Sequence, residues 1–334
     1  MTDRTGGGGA PGPGVSIVVP AYNAADYLER TLPALVETAG EAEIVLVDDH
    51  SADDTAAVAE RAGIRVVRMD AHGGAAAARN RGAAATRGAV IVFVDADVLV
   101  APGRVAALVA PVASGDADAV FGSYDDAPQA PGFFSQYANL RHHYYHQNGA
   151  GPVDTFWAGF GAVSRRAFDD TAGFDGGYAG VEDVAFGYRL SASGARIAMD
   201  PALQVTHLKR WTLASLVRTD IKYRARPWSC LLLGGRHRAL LNIGHGERVR
   251  AVIAGVLAAS VLMAPFSAVT WHAPAFMATA AAAANWPIAR FFARRRGPAF
   301  AVLATAMHQA YYLYSGATFV ACWLAGVVWA GRRR

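Results

Sequence analysis

Residues 91–100 read IVFVDADVLV, a β-branched apolar run that ends in Asp95 and Asp97 with only Ala96 between them. A short continuous apolar run of this kind predicts a strand buried on both faces. In an extended chain, residues i and i+2 point to the same side, so the two carboxylates converge if that conformation continues through Asp97. Like charges brought so close are costly to bury unless one is protonated or a cation lies between them. The pair therefore predicts a metal ion.

Working outward, from Val15 the chain alternates β-branched runs with Ala-rich stretches. VSIVVP, EIVLVDD, IRVVRM, AVIVFVD and ADAVFGSY mark five strands, with helices expected after Ala24, Asp53, Gly74 and Pro102. This alternation predicts an α/β fold, a mostly parallel sheet with helices on both faces. Ligands of such sheets bind at the carboxyl ends of the strands. Tyr22-Asn23, Asp48-Asp49 and Asp95–Asp97 all fall there, which suits one nucleotide-sized site. The first strand runs into PAYN, with no GxGxxG after it, and this excludes the dinucleotide fingerprint of a dehydrogenase.

The 334 residues are 53% apolar and 17% charged, the latter below the roughly 25% of soluble domains, so part of the chain is expected in lipid. Cys230 and Cys322 belong to no CxxC pair, which argues against a disulfide framework or a zinc site. Residues 1–14 lack an apolar stretch between a basic start and a cleavage site, so they read as a flexible tail. Residues 15–210 form the expected catalytic domain. Residues 211–245 include WTLASLVRTDIKYRARPWSCLLL, which reads either as an amphipathic helix on a membrane surface or as an ordinary surface helix.

Residues 246–334 contain three apolar stretches, 251–271, 275–292 and 299–330, from which two or three membrane passes are expected. Arg294–Arg296 and Arg332–Arg334 both claim the cytosolic side under the positive-inside rule. Either the third stretch is a hairpin around Ser315-Gly316, or one basic cluster is overridden.

Five motifs occur in order: PAYN at 20–23, VDDHSADDT at 47–55, GGAAAARNRG at 73–82, VDAD at 94–97 and VEDVAFGYRL at 181–190. Together they resemble the inverting glycosyltransferase family 2, over roughly residues 15–210. The resemblance implies a GT-A fold and transfer of one sugar from a nucleotide-diphosphate donor with Mg²⁺ or Mn²⁺. It further implies Asp97 as metal ligand and Asp95 on the ribose or a metal-bound water. Asp49, with Asp48 in reserve, would read the base, and Pro20 and Tyr22 would line the nucleotide loop, although Tyr22 could equally be packing.

The glycines of the third motif leave helix N–H groups open, and with Arg79 they offer a diphosphate cradle. Inverting transfer needs a base for the acceptor hydroxyl. Asp183 fits that role, with Glu182 assisting in acceptor binding or by raising the base's pKa. Trp157 and Gly159 resemble an acceptor-side segment, although Trp157 could be core. His207 could be a metal or phosphate ligand. HLKRW at 207–211 lacks the QxxRW spacing of processive synthases, which favours single-sugar transfer.

The expected partners are the nucleotide-sugar donor, a lipid- or polyprenyl-linked acceptor and the membrane, with no nucleic acid. The expected place is the inner (plasma) membrane, multi-pass, in cell-envelope synthesis, with the catalytic domain cytoplasmic. The alternatives are a glycan-chain transferase for exopolysaccharide or cell wall and a non-catalytic nucleotide-sugar-binding membrane protein.

Overall fold

The computed structural model describes residues 14–233, 244–266 and 271–331. The expected tail lies outside them except for Gly14, as do Arg332–Arg334. In chain order the strands are β1 Val15–Ala21, β2 Glu43–Asp48, β3 Arg65–Arg68, β4 Val90–Val94, β5 Val98–Leu99, β6 Ala119–Tyr124, β7 Gly151–Pro152, β8 Phe160–Ser164 and β9 Ile197–His207. The first seven helices are α1 Ala25–Ala39, α2 Thr55–Arg61, α3 Gly74–Ala84, α4 Arg104–Ala113, α5 Phe133–Gln147, α6 Arg165–Asp170 and α7 Glu182–Ala192. After β9 come α8 Leu213–Thr219, a π-helical segment Asp220–Ala225, α9 Arg226–Leu233, α10 His245–Met263, α11 His272–Ala284, α12 Trp286–Arg296 and α13 Pro298–Gly331.

The sheet order is β3-β2-β1-β4-β8-β6-β9-β5, with β7 beside β9. The apolar runs of β1 and β4 follow from burial on both sides. Val90, Val92 and Val94 join Ile17 and Val19 in one layer, while Ile91, Phe93 and Val18 fill the other. Alternate residues of an extended chain face opposite ways, so a two-sided core demands apolar residues at every position. β1 lies between β2 and β4, and strand order reverses there. Their carboxyl ends frame a crevice, the usual ligand position of such sheets.

The expectation of a mostly parallel sheet is corrected. β1, β2, β3 and β4 are mutually parallel and β6 runs parallel to β9, but β8 enters antiparallel between β4 and β6. β5 and β7 also pair antiparallel to β9. β9 is a single strand of 11 residues. Nor does β4 continue through Asp97. It ends at Val94, and Asp95–Asp97 turns, with the Val98 N–H donating to the Asp95 carbonyl at 3.1 Å. The two carboxylates are therefore carried by a turn and not by one face of a strand, and both line the same cleft.

The C-terminal helices also depart from the expectation. One helix among the described residues, His245–Phe266, is long and apolar enough to cross a membrane. The 275–292 stretch is no single span, because it divides at Asn285 into α11 and α12. Ile288 and Phe292 of α12 are buried with Tyr137 and Leu140 of α5, and full burial of such side chains contributes roughly 1.5–3 kcal/mol each. Arg296 Nε donates to Gln136 Oε1 at 2.7 Å and Arg295 pairs with Asp126, so this basic cluster docks on the α/β domain. The hairpin at Ser315-Gly316 is excluded, since α13 runs unbroken for 34 residues.

Candidate active site

A cleft of about 670 Å³ opens at the carboxyl ends of β1 and β4 and is roofed by the segment after β9. On its donor side, Tyr22 is 50% exposed and lies over the His72 ring, with centroids 4.2 Å apart. Tyr22 is therefore not core packing. Pro20 lines the same edge. The Asp49 carboxylate accepts the N–H groups of Gly73 at 2.7 Å and Gly74 at 2.8 Å, and His72 Nδ1 lies 2.9 Å from it. Asp48 accepts from the Ser51 N–H at 3.1 Å and shapes the following turn, away from the cleft lining.

The expected diphosphate cradle at α3 is occupied by protein groups in this structure. The open N–H groups of the two glycines are already satisfied by Asp49. Arg79, 5% exposed, directs Nη2 to Asp95 at 2.7 Å and Nη1 to Glu182 at 2.8 Å. Its Nε has no hydrogen-bond partner among the described residues. The guanidinium is thus a brace between the donor-side aspartate and the Glu-Asp pair, not an open anion site.

Asp97 finds a different companion. β5 pairs with the end of β9 in the register Val98↔His207, and the Leu208 N–H donates to the Asp97 carbonyl at 2.9 Å. This brings His207 Nε2 to 3.5 Å from the Asp97 carboxylate. Burial alone would raise the Asp97 pKa, but His207 and Lys209 outweigh it and hold the group low. Each acid of the DAD sequence has its own neighbour, Arg79 for Asp95 and His207 for Asp97, while burial, opposed by Arg79 and reinforced by Asp97, still holds Asp95 above the usual carboxylate range.

Asp183 stands in the first turn of α7, where the helix dipole favours a negative charge. Its Oδ2 accepts the Ala158 N–H at 3.3 Å. Burial, reinforced by the neighbouring Glu182 and opposed by Arg79, pushes its pKa up to about 7. Glu182 is itself buried, held by Arg79 and by the Gly180 N–H at 2.7 Å, and it borders the same cleft.

Trp157 is both packed and accessible. It contacts Tyr124 edge-on at 4.8 Å and His142 at 5.0 Å, and it lines the cleft. Gly159 is required by that ring, because a Cβ there would come within 2.4 Å of it. His207 stacks on Tyr124 at 4.2 Å, so a wall of rings runs from Asp97 to Trp157.

Sequence reasoning missed the α5 face, with Arg141, His142 and His146, and missed Lys209, Arg224 and Trp228. The density of aromatic and His residues in FFSQYANLRHHYYHQ was the available signal for α5. Arg224 gave none, since its place depends on the fold of the C-terminal helices. Among the described residues no group of three or more His, Cys, Asp or Glu side chains is arranged to hold a metal ion.

Residues 16–171 match the family model Glycosyl transferase family 2. That match covers a little under half of the chain, and those residues carry a glycosyltransferase family 2 domain. The glycosyltransferase GlyG of Streptococcus pneumoniae is 33% identical over 129 residues, 37% of this chain and 43% of its own length. The succinoglycan biosynthesis protein ExoU of Rhizobium meliloti is 38% identical over 99 residues, 28% of this chain and 29% of its own. The chain thus spans less than half the length of either relative.

The mannosyltransferase PcManGT of Pyrobaculum calidifontis, solved with GDP-Man and Mn²⁺, superposes with a TM-score of 0.64 at 22% identity. The match covers 93% of this chain and 88% of that one, a likeness of fold that supports a GT-A-type mixed sheet here.

Proposed function

We propose that this chain is an inverting family 2 glycosyltransferase that moves a single sugar from a nucleotide-diphosphate donor to an acceptor presented at a membrane. The reading rests chiefly on one observation. Asp183, with its pKa raised to about 7, lines the same cleft as Asp95 and Asp97, and Arg79 braces its neighbour Glu182 against Asp95. A base poised near neutral pH beside a donor site is what acceptor activation requires.

In this reading Asp183 accepts the proton of the acceptor hydroxyl as its oxygen bonds to the anomeric carbon. The bond from that carbon to the diphosphate breaks on the opposite face, which inverts configuration. Tyr22 and His72 offer a ring surface to the base, with Pro20 at the loop edge and Asp49 holding the loop. Asp48 keeps its turn in place.

Asp97 and His207 would hold a divalent cation, Mg²⁺ or Mn²⁺, with Asp95 beside them. Two protein ligands suit a cation whose remaining positions are filled by phosphate and water. When bound, it would neutralise charge growing on the leaving diphosphate. Trp157, set by Gly159, offers a flat face to the acceptor.

Membrane presentation is supported by His245–Phe266 and by the exposed Val256, Leu262, Phe266 and Trp323 of α10, its continuation and α13. We place the α/β domain on the cytoplasmic side of the plasma membrane and read the acceptor as lipid- or polyprenyl-linked. The likeness to a succinoglycan biosynthesis protein favours a second reading, extension of an envelope or exopolysaccharide chain.

The test is a screen of nucleotide-sugar donors with Mg²⁺ or Mn²⁺, using detergent-purified protein and a lipid extract, with mass detection of product. Transfer or slow hydrolysis of one donor supports the enzyme. No turnover with any donor, while nucleotide still binds, would return the chain to a binding protein.

A further inference from the structure

Tyr145 of α5 lines both the catalytic cleft and a second cavity of about 440 Å³, which is bordered by the end of α5, β7 and the start of α10. A side chain with open space on two sides has fewer packing contacts to fix it than one in the core. The bonds of its hydroxyl therefore decide where the ring stands.

That hydroxyl donates to Glu247 Oε2 at 2.8 Å, and the Tyr312 hydroxyl of α13 donates to the same oxygen at 2.6 Å. A phenol has one proton to give, so both hydroxyls can only accept from His308 Nε2, which lies 3.2 Å from Tyr145 and 3.1 Å from Tyr312. In the neutral His308 ring Nδ1 then accepts from the Tyr137 hydroxyl at 2.9 Å. Every proton of this buried relay has a place. Glu247 also pairs with Arg250 one turn on, and Arg250 Nε donates to the Ala284 carbonyl at the end of α11 at 2.8 Å. One carboxylate on α10 thus gathers α5 and α13 directly and α11 through Arg250.

The cleft feels this junction through α5. Arg141, His142, Tyr145 and His146 all line the cleft from that helix, and His142 and His146 pack against Trp157 with ring centroids 5.0 and 5.4 Å away. Glu247 does not line the cleft itself. It sits in the first turn of α10, within His245–Phe266, the segment long and apolar enough to cross a membrane.

We propose that Glu247 is a positioning residue, which through the Tyr145 hydroxyl sets the α5 wall of the cleft against Trp157 and so ties acceptor binding to the seat of α10. The inference rests on the transferase reading, in which Trp157 faces the acceptor.

Steady-state kinetics on the full chain in detergent test it, with the dispersed lipid extract as acceptor and the donor found in the screen. Glu247→Gln and Tyr145→Phe should each raise the acceptor KM roughly tenfold, the scale of one hydrogen bond to a charged group, with the donor KM unchanged. The double variant should be no worse than either, because both changes cut the same bond. Tyr312→Phe removes an equivalent bond from the same carboxylate but from a ring outside the cleft lining, so it should lower Tm and leave both KM values alone.

Hydrogen exchange over residues 141–147 reads the brace without turnover and should quicken in Glu247→Gln and Tyr145→Phe, not in Tyr312→Phe. An acceptor KM unmoved in both single variants overturns the proposal. So does a rise that adds up in the double variant, or one that Tyr312→Phe shares, since either marks general loosening. Failure of the transferase reading looks different, because the parent then turns over no nucleotide sugar. Exchange alone decides in that case, quickened exchange upholding the brace and unchanged exchange overturning it.

Discussion

Two buried ionic clusters of this chain are near inverses in charge. In the α/β domain one guanidinium, Arg79, is shared by two carboxylates, Asp95 and Glu182. At the junction with the C-terminal helices one carboxylate, Asp220, is shared by two guanidiniums, Arg141 and Arg224. The first leaves an excess of negative charge beside Asp97 and Asp183, where a cation is wanted and a proton is held. The second leaves an excess of positive charge on the opposite side of the same cleft. In the proposed transferase reading a metal-bound diphosphate has both kinds of need at once, and the cleft is bordered by groups of both charges.

The largest expected effect tests the negative side. Asp183→Asn should lower the transfer rate by about 10²- to 10⁴-fold, the range for loss of a general base, with donor affinity nearly unchanged in calorimetry. Equal loss of binding would show that the residue holds substrate and does not activate it.

Next come the two hubs. Arg79→Gln leaves Asp95 and Glu182 buried together without their cation, and Asp220→Asn leaves Arg141 buried without its anion. Removing one partner of a buried pair costs about 3–5 kcal/mol, so both variants should melt earlier in thermal denaturation. The comparison sharpens if they then part. Arg79→Gln should lose turnover even where it stays folded. Asp220→Asn, whose side chain stands outside the cleft lining, should lose turnover only as far as it unfolds, and identical defects would break the contrast.

A smaller effect follows from pH. Because Asp183 must be deprotonated to act, kcat/KM should fall as pH drops through about 7. Glu182→Gln removes a like charge that helps to raise the group, and should move this acidic limb to lower pH. The stability sign is separate. A carboxyl whose folded pKa is raised binds its proton more tightly in the native state, so its contribution is full below its unfolded pKa and is lost as pH rises toward about 7. An acidic limb unmoved in Glu182→Gln would detach Glu182 from the base.

The mildest variant is Gly159→Ala. Its methyl meets the Trp157 ring and should cost roughly 1–3 kcal/mol through overpacking, read as a lower Tm with a raised acceptor KM.

Much of this was legible in the amino-acid order, because the signals are local. Two-faced burial forces unbroken apolar runs, so β1, β2 and β4 announced themselves, and acids placed at their ends could lie nowhere but at the ligand edge. Tertiary structure decided what no window of sequence holds. β8 enters the sheet antiparallel, beginning 66 residues after β4 ends, a hydrogen-bonding choice that leaves the same apolar pattern as a parallel neighbour. Asp95 meets Arg79 and Asp97 meets His207, partners that only the fold supplies. The 275–292 stretch was apolar enough to suggest a span, yet Ile288 and Phe292 found α5 instead. Composition alone does not distinguish burial in lipid from burial in protein. Sequence by itself therefore determined β1, β2, β3, β4 and β6 and the acids at their ends, since each depends on its neighbours in the chain. Only the folded structure decided which cation each acid meets and which helices close the cleft, because those energies depend on contacts between residues far apart in sequence.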